Sequence, residues 1–309
     1  MRALLKHNSS VCVRDLPVPA LDAQKVRVRV ELAGICRTDV YVAQGRIPSP
    51  DTLVLGHELA GVVEEVGPEV SDKNLLGQRV GVSPFVGCGA CQWCMKHGAL
   101  RCPDRKMIGV DLDGGFAEFI DLHPAQVHPL EPQVSAQLAA YLEPVAASLA
   151  PTCAPITPLM RGVVYGQGRI AALTALVLKL SGFDRVHTHS LEDAPLEANA
   201  YDFAVETHAT PQAIAALVDA LKPRGVLVLK SRAPVPVALD FRAILAKELT
   251  LQATEYAPFQ RAVALINQHP HTFSHLFGPV HALEDAATAW AVAQEDDKKH
   301  FFDPSKRSA

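Results

Sequence analysis

Long hydrophobic runs are missing from this chain. Its longest apolar stretch, residues 170–178, is interrupted by Thr174. It falls far short of the roughly 20 apolar residues that a membrane-spanning helix needs. Residues 1–15 hold no extended apolar region and no cleavage signal, so no secretory leader is expected and the default location is the cytoplasm. A dominant charge is missing too: 29 basic residues face 33 acidic ones, for a net charge of −4. Neither nucleic acid nor a membrane surface is therefore an expected partner. Internal repeats and low-complexity tracts are absent. What is present is a 309-residue chain that is 49% hydrophobic, enough for two domains with a sizeable core.

Cysteine is unevenly distributed. Of seven cysteines, four stand at Cys88, Cys91, Cys94 and Cys102. The C-x2-C-x2-C-x7-C spacing lets a short loop fold back so that three sulfurs meet and the fourth completes a tetrahedron. Four thiolates with no open position are the donor set of a structural zinc site. Two disulfides or unpaired thiols are the alternatives, and the expected reducing compartment disfavours the disulfides.

Residues 1 to about 130 read as short strands and turns. Residues 25–31 alternate polar and apolar, as a half-buried strand does, and 59–66 and 79–82 are further strand candidates. Residues 135–149 have helical spacing, with Leu138, Tyr141, Leu142, Val145 and Leu149 on one face. Ser135 is the expected N-cap, and Pro144 is expected to kink or break the helix. From Arg161 strands and helices alternate, with strands at 162–165, 185–189, 201–206 and 226–229 and helices at 169–180 and 211–221. That alternation implies a parallel α/β sheet. Further helices are expected at 241–247, 259–269 and 283–294, and a last strand at 300–302.

Two constellations point to chemistry. Cys36 and His57 are a thiolate and an imidazole, both good zinc ligands. A catalytic zinc keeps three protein ligands and one open position, and the third here is Glu58 or Glu143. The second constellation is Gly166-Gln167-Gly168-Arg169-Ile170-Ala171. It follows a strand and opens a helix, the context in which G-x-G-x-x-A brings a dinucleotide pyrophosphate to a helix N-terminus.

The cysteine cluster lies after Gly56-His57-Glu58 and before Asp113-Gly114-Gly115-Phe116-Ala117-Glu118-Phe119. In this setting it resembles the zinc-containing alcohol dehydrogenases of the medium-chain dehydrogenase/reductase superfamily, and the resemblance runs through nearly the whole chain. It implies an α/β protein: a GroES-like β catalytic domain from residues 1–148 and 273–309, and a Rossmann domain from 149–272, with the active site in the cleft. It implies two zinc ions per chain, one structural and one catalytic. The family's first catalytic ligand sits in Gly34-Ile35-Cys36-Arg37-Thr38-Asp39 as Cys36, and the second is His57. In the polyol and threonine dehydrogenase branch a carboxylate before proline, here Glu143, is often the third. Glu58 matches a residue that stays close to the metal and exchanges with water. By the same resemblance Asp39 orients His57 and Thr38 passes the substrate proton outward. Arg37 touches cofactor pyrophosphate, beside the motif residues Gly166, Gly168, Arg169 and Ile170. Tyr41 stands where many relatives carry a relay histidine. The implied activity is NAD(P)-dependent oxidation of a secondary alcohol of polyol, amino-alcohol or aminocyclitol type, or the reverse reduction. The implied assembly is a homodimer or homotetramer acting on a small-molecule substrate.

The dinucleotide half departs from this pattern. An acidic residue is expected at the end of the second strand, about 20 residues on, to hold the adenosine ribose. Nineteen positions after Ala171 stands Ser190 instead. Only ten residues then separate Ser190 from Tyr201, where relatives place a helix, a strand and a second helix. That block is missing, and the lost strand is an edge strand. Two family glycines near the nicotinamide are also replaced, one by Ala209 and one by Lys230 or Ser231. The Rossmann domain is thus expected to be shortened, and NAD or NADP to bind weakly with little discrimination. A redox-neutral zinc lyase or isomerase on the same scaffold is the alternative.

Overall fold

A computed structural model describes residues 1–8, 10–233 and 235–308. The chain divides into two compact units, Met1–Glu143 with Ile266–Ala309, and Pro144–Leu265. Both boundaries lie N-terminal of the positions expected from the sequence.

Strand Val26–Gly34 is the hub of the first unit. Val26, Val28 and Val30 are buried while Arg29 is exposed, as alternation requires. Arg27 departs from the pattern and is buried. Its guanidinium is compensated by Asp121 at 2.8 and 2.9 Å and by Glu65 at 3.0 Å, the condition under which a charge can leave water. The hub pairs antiparallel with Glu58–Val66. It also pairs with Phe119–Leu122 near its start and with Lys299–Phe302 near its end. The C-terminal segment therefore returns to the hub, where Phe302 packs edge-to-face on Phe116 with centroids 4.9 Å apart. These strands belong to a seven-stranded sheet. A second sheet joins Ser10–Asp15, Arg2–His7 and Thr52–Val54.

The helical stretch after Ser135 is two helices, Ala136–Ala140 and Leu142–Leu149. Ser135 caps the first by accepting from the Leu138 N–H at 3.2 Å. The break at Tyr141 places Pro144 in the first turn of the second helix. There its missing N–H has no intrahelical acceptor to lose.

The second unit is a parallel five-stranded sheet in the order Val186–His189, Gly162–Tyr165, Tyr201–Glu206, Leu221–Leu229, Thr250–Ala253. Val163 and Tyr165 face one core, shared with Ile214 and Leu217 of helix Pro211–Ala220. Val164 faces the other, shared with Ala171, Ala175 and Leu178 of helix Arg169–Leu180. Helices thus cover both faces, the doubly wound arrangement. Residues 191–200 contain neither helix nor strand, and Tyr201–Glu206 pairs directly with Gly162–Tyr165. The short connection that residue counting marked thus holds no further helix or strand, and the five strands pair into one sheet without it. Strand Thr250–Ala253 was not expected, since this half-exposed edge strand carries little apolar alternation. Among the described residues no helix is long and apolar enough to cross a membrane.

Candidate functional site: two metal centres and a glycine turn

The first centre forms where the hub strand ends. The antiparallel register sets Gly34 opposite Glu58, so Cys36, just past one strand end, comes beside His57, just before the start of the other. One donor atom each from Cys36, His57 and Glu58 lies within 4.8 Å of the others. Asp39 stands behind them, fully buried. Its Oδ1 is 2.9 Å from His57 Nδ1, and its Oδ2 accepts from the Cys36 backbone N–H at 2.9 Å. A single carboxylate therefore orients the imidazole and the turn that carries the thiol, which is how metal-binding histidines are normally fixed.

Burial by itself would lower the His57 pKa, but the charges of Asp39 and Cys36 outweigh it and hold the imidazole well above its ordinary value. A metal ion at this place therefore displaces a proton when it binds. The second Glu58 oxygen forms an ion pair with Lys299 Nζ, and both side chains are buried. They meet across Gly34, where an added Cβ would lie 2.7 Å from both Glu58 Oε2 and Lys299 Cε. Lys299 was not singled out in the sequence; only the pairing of its strand with the hub places it here.

Thr38 is half-buried in the first turn of helix Arg37–Ala43, whose N-cap is Cys36, and Arg37 is exposed. Tyr41, at the relay position, lies under the Arg46 guanidinium, 4.0 Å from the ring centroid. Glu143 is buried in the first turn of helix Leu142–Leu149. It is not part of the mutually close donor set, in which Glu58 is the carboxylate.

The second centre is the cysteine loop. Cys88, Cys91, Cys94 and Cys102 bring their sulfurs within 4.8 Å of one another, with Cys88–Cys94 and Cys91–Cys102 each at 3.9 Å. Four sulfurs at the zinc–sulfur bond length around a tetrahedron are about 3.8 Å apart, whereas a disulfide is about 2.05 Å long. The Cys91 sulfur accepts from the Cys94 N–H at 3.3 Å, and the Cys102 sulfur from the Cys88 N–H at 3.4 Å. The backbone N–H groups of Ala90 and Cys91 pull the Cys88 thiol down to about 6, while desolvation beside the other sulfurs pushes Cys94 up to about 12. This donor set fits a closed structural zinc site.

The glycine turn leaves the end of strand Gly162–Tyr165. Gly166 has φ +144, and an added Cβ would lie 2.2 Å from Thr207 Oγ1, which itself donates to the Tyr165 carbonyl at 2.9 Å. Gly168 is the N-cap of helix Arg169–Leu180, with no side chain capping it and nothing within 4 Å of an added Cβ. The turn therefore leaves room beside the start of a twelve-residue helix. That cradle fits a pyrophosphate. Arg169 and Ile170 open the helix, Ile170 on its exposed side. Ser190 is buried at the end of the neighbouring strand.

Comparison with known proteins agrees with this geometry. Residues 22–132 match the family described as Alcohol dehydrogenase GroES-like domain. The chain is 27% identical to an L-threonine 3-dehydrogenase of Rhizobium etli (strain CIAT 652) over 287 residues, which span 82% of each chain. It is 31% identical over 207 residues to a sorbitol dehydrogenase of Bacillus subtilis, covering 64% of this chain and 58% of that one. Among solved structures, an alcohol dehydrogenase of Escherichia coli CFT073 complexed with NADH superposes with a TM-score of 0.89 at 22% identity. That match covers 98% of this chain and 99% of the other. A GroES-like domain, a parallel Rossmann-type sheet, a four-cysteine loop and a Cys–His–Glu centre occur together in one chain, the combination expected of a zinc-containing medium-chain dehydrogenase.

Proposed function

We propose that the protein transfers hydride between NAD(P) and a secondary alcohol of polyol, amino-alcohol or aminocyclitol type. The observation that carries this reading is the convergence of Cys36, His57 and Glu58 with the Asp39 carboxylate behind them. The glycine turn and the open space beside Gly168 at the helix start support dinucleotide use, and the likeness to an L-threonine 3-dehydrogenase and a sorbitol dehydrogenase supports the substrate class. When bound, zinc supplies a Lewis acid for the alcohol oxygen and the nicotinamide a hydride acceptor. The chain's own residues do the rest. Asp39 holds His57 in the orientation that points its other nitrogen at the donor set. Glu58 is the third donor, steadied by Lys299. Thr38 moves the hydroxyl proton outward, and Arg37 contacts the pyrophosphate. The first unit is the catalytic domain and the second the cofactor domain, in a cytoplasmic homodimer or homotetramer.

The test is a panel of polyols and amino alcohols offered to zinc-loaded protein with NAD or NADP. The expected result is a substrate-dependent change in nicotinamide absorbance. Substrate consumed with no such change for either cofactor would move the assignment to a redox-neutral zinc enzyme, for which the missing sheet strand already leaves room.

A further inference from the structure

Strand Val186–His189 is followed by an uncharged residue, Ser190, where dinucleotide-binding sheets place the acid that holds the adenosine ribose. The fold brings a carboxylate back to that place by another route. The Ser190 N–H donates to Asp193 Oδ2 at 2.7 Å, and Ser190 Oγ donates to the same oxygen at 3.0 Å. The Glu192 N–H closes the turn by donating to Ser190 Oγ at 3.3 Å. These bonds use one Asp193 oxygen. The other, Oδ1, accepts no hydrogen bond from the described residues, and the side chain is 56% exposed. The bonds from Ser190, backbone first, also hold the Asp193 carboxyl below its ordinary pKa, so it is charged at neutral pH.

The position is adjacent to the glycine turn. Tyr165 and His189 are paired across the sheet, and the Gly166 N–H donates to the His189 carbonyl at 2.8 Å. The Asp193 carboxylate, the glycine turn and the N-terminus of helix Arg169–Leu180 therefore share one end of the sheet. Because residues 191–200 form no helix or strand, the turn is free to fold back in this way. The charged and titratable groups around the carboxylate are Glu192, His187 and His189, whose Nδ1 lies 3.9 Å from Asp193 Oδ2, and among the described residues no arginine or lysine is bonded to it.

We infer that Asp193 replaces the strand-end acid and makes the protein selective for NAD(H). This rests on the dinucleotide reading of the preceding section. The free oxygen accepts hydrogen bonds from the adenosine ribose hydroxyls, and the charge repels the 2′-phosphate of NADP(H). The weak discrimination expected from Ser190 alone is thereby reversed.

Calorimetric titration of the zinc-loaded full chain with NADH and with NADPH tests this. The wild type should bind NADH at least about tenfold more tightly than NADPH, the scale of one hydrogen bond to a charged group. Asp193→Asn keeps an oxygen that can accept from the Ser190 N–H, so the turn persists. It should lose most of the NADH preference, with NADPH affinity equal or higher. The exchange Ser190→Asp with Asp193→Ser should restore the preference, because it returns the acid to the strand end. If the wild type binds both cofactors within a factor of about two, or Asp193→Asn weakens both alike, Asp193 only closes the turn and the inference is wrong. If the wild type binds neither cofactor, the dinucleotide reading fails, and this inference with it.

Discussion

Replacing Asp39 by alanine removes both acceptors that organise the Cys36–His57 pair. Asp39 is fully buried, and each of its oxygens serves one donor at 2.9 Å, the buried His57 Nδ1 and the partly buried Cys36 N–H. An unpaired buried donor costs about 1–3 kcal/mol, and the partly buried Cys36 N–H adds less, so Asp39→Ala should destabilise the fold by about 2–4 kcal/mol. Asp39→Asn keeps the size and one acceptor oxygen, so about 1–3 kcal/mol is expected. Loss of the carboxylate behind a metal-binding histidine should also weaken zinc binding by about 10–100-fold. Zinc content across a chelator series, read alongside thermal unfolding, separates the two effects. The cysteine-loop zinc is the internal control, because none of its ligands contacts Asp39. In Asp39→Asn one zinc should leave at far lower chelator concentration while the other stays. A variant that holds both zinc ions as firmly as wild type, with unchanged unfolding temperature, would refute the claim that Asp39 organises the centre.

The remaining predictions concern the metals and pH. Cys91→Ser should lose the loop zinc and lower stability while Cys36 and His57 keep theirs, because a closed four-cysteine site contributes folding energy; full zinc content after that change would remove the structural-site assignment. Glu58→Ala should release the zinc held by Cys36 and His57 more readily than Glu143→Ala does, and the opposite order of chelator resistance would make Glu143 the ligand. Burial pushes His128 down to about 4 from its ordinary 6.5. Its folded pKa is depressed below the unfolded value, so the stability it contributes is present above pH 6.5 and is lost as pH falls toward 4. The shift amounts to about 3 kcal/mol, and in denaturant melts His128→Gln should flatten the stability profile in that window; an unchanged slope there would discard His128 as the source.

The sequence by itself determined whatever depends on near neighbours. The cysteine spacing was enough for the loop, because thirteen intervening residues at most must close on one point and short loops close cheaply. The alternation at 25–31 read out the hub strand, Ser135 marked where a helix begins, and Pro144 signalled a break that falls three residues earlier, at Tyr141. Counting residues between Ser190 and Tyr201 even exposed the missing strand, since ten residues cannot hold a helix, a strand and a helix. Tertiary structure decided whatever depends on register. Cys36 meets His57 and Glu58 because Gly34 pairs with Glu58, and Lys299 reaches Glu58 because Phe301 pairs with Gly34 from the other side. Neither pairing is written in local spacing. The choice between Glu58 and Glu143 as the nearby carboxylate, and the return of Asp193 over Ser190, have the same origin. A side chain's reach is set by where the backbone is held, and between distant segments only the strand pairing and the turn bonds hold it.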